Sequence, residues 1–336
     1  VGAIEWFDGR NPVVKKILVI RWKSIGDVAF TLPAVNRIRD NFPDARMTFL
    51  VSKENAFVVE GFEAVDRIWT VDRAALKEGR YLAGVASFLG LLRQIRRERF
   101  DLVVDFQAYG ETALMARISG AKERWGNAKP TFRSRAYTRN YDLGRDRATH
   151  PATRHLTMLE AFGLRATPVR NVHHLDARHR DEARGHLERE GVSPGVPLVY
   201  FQPCTSAVAK NWPMDRYLAV AGWLRERGIA SVFGGGPSES AVLGQAKAEG
   251  FAVSTGLGVR ACVGMMAEAA LVVGGDTGLV HIANALGRPV LMLARPTAPR
   301  PIGREDSVIL SADTDMTRIE VQEVISRVGR SLKIEV

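Results

Sequence analysis

Three short stretches of this 336-residue chain carry residue types able to do chemistry, and each follows an apolar run. The first is Ser24-Ile25-Gly26-Asp27, just after Ile17–Ile20. An Asp there stands at a helix start and at the lip of a cleft. It also reads as a plain cap, its charge and hydrogen-bonding oxygens suiting a helix N-terminus. The second is Thr205-Ser206 followed by Lys210-Asn211-Trp212-Pro213. Two hydroxyls and an ammonium in a post-strand loop suit an anion such as a diphosphate. Equally, this is a surface loop in which Trp212-Pro213 starts the next helix. The third is Gly274-Gly275-Asp276-Thr277-Gly278-Leu279-Val280-His281. A strand runs through glycines into a helix whose first N–H groups are free, a favourable place for phosphate. The plainer reading makes Asp276 an N-cap and His281 a packing residue.

Other stretches carry less. Gly234-Gly235-Gly236-Pro237-Ser238-Glu239 is a strand–turn–helix junction, but Pro237 and Glu239 break the dinucleotide fingerprint, and the chain has no Walker A sequence. Glu239 could accept from a ribose or cap a helix. Six of the seven histidines fall between His150 and His186, and they read as a solvated region rather than a metal centre. Cys204 and Cys262 form no disulfide framework, which suits a reducing compartment. A basic stretch from Arg124 to Arg154 includes Lys129, Arg133, Arg135, Arg139, Arg145 and Arg147, with Trp125, Phe132, Tyr137 and Tyr141 interspersed. It could hold nucleic acid, grip phosphates and carboxylates on a lipid-linked sugar, or be solvated. Arg93-Gln94-Ile95-Arg96-Arg97 beside an apolar stretch would suit an anionic membrane surface.

The elements that must position these residues follow one grammar, used twice. Strands are expected at 17–20, 47–51, 65–71 and 102–106, with helices at 34–39, 74–99, 111–118 and 156–162. Residues 122–155 read as loop. The second half restarts with strands at 198–201, 230–233, 252–254, 271–273 and 290–293. Helices follow at 214–227, 239–248, 262–269, from Thr277, and at 316–332. Strands alternating with helices mean parallel sheets. Two Rossmann-like halves place a ligand cleft between them at the carboxyl ends of the strands. The expected boundary is the Pro/Gly-bearing stretch 163–197, and a chain this long exceeds what one core usually fills.

Composition is that of a folded protein, 46% hydrophobic and 25% charged, which excludes disordered and collagen-like classes. The longest apolar run, Tyr81 to Leu92, falls short of the roughly 20 residues of a membrane span. Val1 to Arg10 does not read as a signal peptide. A cytoplasmic protein is expected. The net charge of +10 is uneven: residues 1–170 hold 29 basic and 19 acidic side chains, and residues 171–336 hold 18 of each. Such asymmetry points to two domains with different partners.

In this order and spacing, the pieces resemble glycosyltransferase family 9, the heptosyltransferases of lipopolysaccharide core assembly. The resemblance rests on Ser24–Asp27 with Thr31-Leu32-Pro33-Ala34, Phe100–Gln107 and Ser119-Gly120-Ala121. It is completed by Lys210–Pro213, Gly235-Gly236-Pro237 with Glu239, and Asp276-Thr277-Gly278 with His281. It implies a GT-B fold, with an acceptor-binding Rossmann-like domain over residues 1–170 and a nucleotide-sugar domain over 171–315. The last segment, 316–336, would be a helix packing back on the N-terminal domain. It implies inverting transfer without metal or other cofactor, of heptose from ADP-heptose to an anionic lipopolysaccharide-type acceptor. Asp27 would be the general base, and Lys210 with Thr205 and Ser206 would hold the diphosphate. Thr277 and Gly278 would contact it from the helix N-terminus, with His281 beside them. Asp276 would orient the sugar, Glu239 face the ribose and Leu257 lie near the base. Ser24, Gly26, Gln107, Arg133 and Arg135 would meet the acceptor, and cleft closure would join Asp27 to Asp276.

Two departures from the family pattern lie near the donor site: Gln202-Pro203-Cys204, where a Gly-containing turn is usual, and Arg295, where Gly is common. Another nucleotide sugar, or a protein or small-molecule acceptor, is the alternative within the class. A non-catalytic basic protein binding nucleic acid or anionic lipid is the alternative outside it. The transferase reading expects no nucleic acid, and it places the protein at the cytoplasmic face of the inner membrane, in peripheral contact.

Overall fold

A computed structural model describes residues 13–72, 81–142, 149–304 and 306–335. Two compact units divide the chain, Val1–Asn171 and Val172–Val336.

The first unit holds a six-stranded sheet: β1 (Lys16–Ile20), β2 (Arg46–Ser52), β3 (Arg67–Val71), β4 (Leu102–Asp105), β5 (Glu123–Gly126) and β6 (Arg139–Asn140). Their spatial order is β3-β2-β1-β4-β5-β6, and every neighbouring pair is parallel. The central strands are apolar runs because helices cover both faces of a parallel sheet; Ile17–Ile20 and Leu102–Val104 are wholly buried. Helices α1 (Ile25–Ala29), α2 (Leu32–Asn41), α3 (Ala56–Glu60), α4 (Tyr81–Glu98), α5 (Gly110–Ser119) and α6 (Pro151–Ala161) complete the unit. The part of α4 expected at 74–80, and Arg145 and Arg147 of the basic stretch, lie outside the described residues.

Strands β5 and β6 fall where the sequence suggests only loop. Glu-Arg-Trp-Gly lacks the apolar run of a buried strand, yet its charges are internally spent. The Glu123 carboxylate accepts from Trp125 Nε1 at 2.9 Å and Arg139 Nε at 3.2 Å. Arg124 donates from Nε to the Ala136 carbonyl at 2.8 Å and from Nη1 to that of Ala121 at 2.5 Å. Part of the basic stretch, Arg124 and Arg139, is therefore scaffold.

The second unit repeats the plan: β7 (Leu198–Gln202), β8 (Ala230–Gly235), β9 (Ala252–Thr255), β10 (Leu271–Gly275), β11 (Val290–Ala294) and β12 (Val308–Leu310). Their order is β12-β11-β10-β7-β8-β9, again all parallel. Around them lie α7 (Ala177–Arg189), α8 (Met214–Arg225), α9 (Ser240–Ala248), α10 (Val259–Glu268), α11 (Gly278–Ala285) and α12 (Val321–Leu332).

One feature of this unit differs from expectation. Helix α7 occupies the stretch read as a boundary; it is mostly polar, and only Ala183, His186 and Leu187 are buried. Helix α12 buries its apolar stripe, Val324, Ile325 and Val328, in the second unit's core with Phe201, Trp212 and Leu224.

Candidate functional site

Both sheets reverse their winding once, between β1 and β4 in the first unit and between β7 and β10 in the second. In doubly wound sheets the carboxyl ends beside that reversal are where ligands bind. The residues that could do chemistry stand there.

In the first unit, Asp27 lies in α1, just past β1. Its Oδ2 accepts from the Ser24 backbone N–H at 3.0 Å and from the Ser24 hydroxyl at 3.2 Å. Its Oδ1 is 2.9 Å from Arg21 Nη2. Thus the capping reading holds as local geometry, yet the carboxylate is 42% exposed and available to a ligand. Arg21 is in turn held by the Phe106 carbonyl. Gln107 is buried, and its Oε1 accepts from the backbone N–H groups of Trp22 at 3.0 Å and Lys23 at 3.3 Å. Expected at the acceptor, Gln107 serves here as a brace under the Asp27 loop.

Below Gln107 lies Asp105, fully buried at the end of β4. Its carboxylate accepts from the N–H groups of Gln107 and Ala108, each at 2.9 Å, and from the Tyr137 hydroxyl at 2.7 Å. Burial pushes the Asp105 carboxyl above its ordinary pKa, against the pull of those hydrogen bonds. His155 packs its ring 4.7 Å from that of Phe106, and burial, aided by the Arg21 charge, lowers its pKa to about 3. Arg133 and Arg135 are exposed on the short turn 132–136, whereas Gly26 is only half-buried beside Asp27.

In the second unit, Lys210 Nζ donates to Asp276 Oδ2 at 2.9 Å, and His281 Nε2 stands 3.8 Å from Asp276 Oδ1. Burial pushes the Asp276 carboxyl up. The neighbouring His281 and Lys210 outweigh that and hold it below the usual carboxylate range. Thr205 is anchored through its N–H and hydroxyl, both 2.9 Å from Asn211 Oδ1. Trp212 plugs the loop into the core, its Nε1 donating to the Ile319 carbonyl at 2.9 Å. Ser206 is exposed on the same loop. Thr277 is the N-cap of α11 without a side-chain capping bond, and Gly278 opens that helix.

Toward the other edge of the sheet, Glu239 Oε2 accepts from the Gly236 N–H at 2.7 Å. Leu257 is 43% exposed in the turn after β9, between Gly256 and Gly258, whose φ values of 78° and 79° favour glycine. The sequence did not assign Arg21, Asp105, Asn211 or Arg295. Arg21 and Arg295 share a legible signal, a charged residue directly after a buried strand. The carboxamide of Asn211 gives no such signal, because its partner is fixed only by the loop's shape.

Three of the clustered histidines, His155, His173 and His186, are buried rather than solvated. Among the described residues no three His, Cys, Asp or Glu side chains converge as metal ligands would.

Comparison with known proteins follows the same lines. The profile of glycosyltransferase family 9 (heptosyltransferase) matches residues 88–326, well over half the chain. Lipopolysaccharide heptosyltransferase 1 of Escherichia coli is 26% identical over 296 residues, covering 86% of this chain and 90% of that protein. A family 9 glycosyltransferase from Veillonella parvula superposes with a TM-score of 0.83 at 20% identity, covering 95% of this chain and 97% of that one. An Escherichia coli heptosyltransferase solved with ADP-2-deoxy-2-fluoro heptose gives 0.75 at 20% identity, covering 94% and 99%. The chain's two parallel six-stranded sheets and its likeness to these neighbours match the expected GT-B architecture. On sequence profile and fold together, the chain belongs to glycosyltransferase family 9, the heptosyltransferases.

Proposed function

We propose that this chain transfers heptose, with inversion and without metal, from ADP-heptose to an anionic acceptor of the lipopolysaccharide core type. The observation that carries the reading is Lys210, held 2.9 Å from Asp276 at the reversal point of the second sheet. A fixed ammonium beside a helix N-terminus is what a departing diphosphate requires when no metal serves it. The names of the relatives supply the sugar and the acceptor class, and the excess positive charge of the first unit suits an anionic acceptor.

In this scheme the second unit binds the donor. Leu257 lies under the base, Glu239 meets the ribose, and Thr205, Ser206 and Lys210 take the diphosphate with Thr277 and Gly278. Asp276 orients the sugar, supported by His281. The first unit supplies Asp27 as general base, with Ser24, Gly26, Arg133 and Arg135 toward the acceptor. The acceptor hydroxyl attacks the anomeric carbon and its proton passes to the Asp27 carboxylate. The new C–O bond forms as the bond to the diphosphate breaks, and that electron pair leaves on the diphosphate oxygen. Arg21 and Ser24 keep the carboxylate oriented before the attack. The enzyme works in the cytoplasm, where the nucleotide sugar is made available, in peripheral contact with the inner membrane.

Thermal midpoints recorded with ADP, UDP and GDP, chelator present, test the donor, because a ligand of the native state raises stability by mass action. ADP should raise the midpoint most. Asp27→Asn should keep that rise and lose turnover by about two to four orders of magnitude. A chain stabilised by no nucleoside diphosphate is not a transferase of this kind, and retained turnover removes Asp27 as the base.

A further inference from the structure

The carboxyl ends of the second sheet run, in space, from β9 through β8, β7 and β10 to β11. At strand spacings of about 4.8 Å this edge is about 19 Å long. Along it stand Leu257, Glu239, Lys210, Asp276 and, directly after β11, Arg295. An elongated ligand with its nucleoside at the β8–β9 end brings its far phosphate and sugar to the β10–β11 end. Two described cations there are Lys210 and Arg295, and they are not equivalent. The Lys210 ammonium is paired with the Asp276 carboxylate, so the pair is close to neutral.

Arg295 is different. Its Nη2 donates to the Ala209 carbonyl, in the turn that carries Lys210. Its Nε is buried without a hydrogen-bond partner, and among the described residues no carboxylate pairs with it. The fork has five N–H donors, and one carbonyl occupies only part of it.

Resting on the donor reading above, we propose that Arg295 is the uncompensated cation of the donor site and binds the distal phosphate of the nucleoside diphosphate. The charge that develops as the glycosidic bond breaks appears on this diphosphate. A guanidinium there favours the departing form over the intact donor, which is how a fixed charge accelerates a reaction. Lys210 would then exchange Asp276 for phosphate, while Arg295 supplies attraction that needs no exchange.

Calorimetric titration of wild type, Arg295→Gln and Arg295→Lys with ADP and with AMP tests the assignment. Arg295→Gln should weaken ADP about tenfold or more and leave AMP within about twofold. Arg295→Lys should recover part of the loss, keeping the charge but not the fork. The ADP gap between wild type and Arg295→Gln should narrow as salt rises. Should wild type bind UDP or GDP instead, the same comparison is made with the matching monophosphate. Unchanged diphosphate affinity in Arg295→Gln overturns the proposal. So does an equal, salt-independent loss for diphosphate and monophosphate, which would make Arg295 only a brace for the Ala209 turn. If wild type binds none of the three diphosphates, the donor reading itself falls and this inference with it.

Discussion

At the scale of single residues, two buried polar groups of the first unit, Asp105 and Gln107, brace one turn. Asp105 locks the turn, Phe106 and Gln107 hold Arg21 and the backbone of Trp22 and Lys23, and these carry Asp27. His155 packs against this turn with a pKa lowered to about 3 by burial and the Arg21 charge. In the native protein it is neutral at any pH above that, whereas in the unfolded chain it takes a proton near pH 6.5. The unfolded state therefore binds more protons between about pH 6.5 and 3, and stability falls as pH drops through that window. Asp105 acts in the opposite sense, since its folded pKa is raised, so total slopes mix the two. The difference between wild type and His155→Leu isolates the histidine. Urea unfolding at several pH values should give the wild type the steeper slope, by up to about 1.4 kcal/mol per pH unit. Parallel slopes would mean His155 titrates normally in the fold.

At the scale of elements, how much was legible depended on what each element buries. The strands β1, β7 and β10 are apolar runs that lead into the site motifs, so the segments that carry Asp27, Lys210 and Asp276 after them are legible in the sequence. The strands β5 and β6 and the helix α7 escaped because their sequences are charged and their partners are distant in the chain. The bracing role of Gln107 is not legible in the sequence, because its amide looks the same whether it meets a ligand or the backbone; only the fold brings Trp22 and Lys23 to it. Glycines at the β10 end are legible as close approach, and the structure says to what. A Cβ on Gly275 would lie 2.5 Å from Thr205 Cγ2, with its next neighbours at ordinary contact. Gly275→Ala should therefore destabilise by about 1–3 kcal/mol and disturb the Thr205–Asn211 anchor. Serine at 205 keeps the hydroxyl but lacks Cγ2. A double-mutant cycle of Gly275→Ala with Thr205→Ser should show most of that cost removed. Additive losses would locate the strain in the backbone instead.

At the scale of the whole molecule, the charge asymmetry becomes specific once the units are drawn. The boundary at Asn171 puts the entire excess of +10 on the first unit and leaves the second neutral. Part of that excess is scaffold, as Arg124 and Arg139 show, but Arg133 and Arg135 remain exposed. Exposed charges act on a partner through solvent, with a screening length of about 10 Å at 0.1 M salt and about 3 Å at 1 M. In the scheme proposed above the donor relies instead on a few fixed contacts, Lys210 being 36% and Asp276 16% exposed, in a unit with no net charge. Partly buried pairs are screened much less. Raising salt from about 0.05 to 0.5 M should therefore increase the Michaelis constant of an anionic acceptor several-fold and that of the donor only slightly. Arg133→Gln with Arg135→Gln should flatten the acceptor's salt dependence while leaving the donor's constant unchanged, because those side chains lie in the other unit. If salt and the paired substitution act on donor and acceptor alike, the first unit's charge serves folding or solubility, and acceptor recognition must be sought in neutral groups around Ser24 and Gly26.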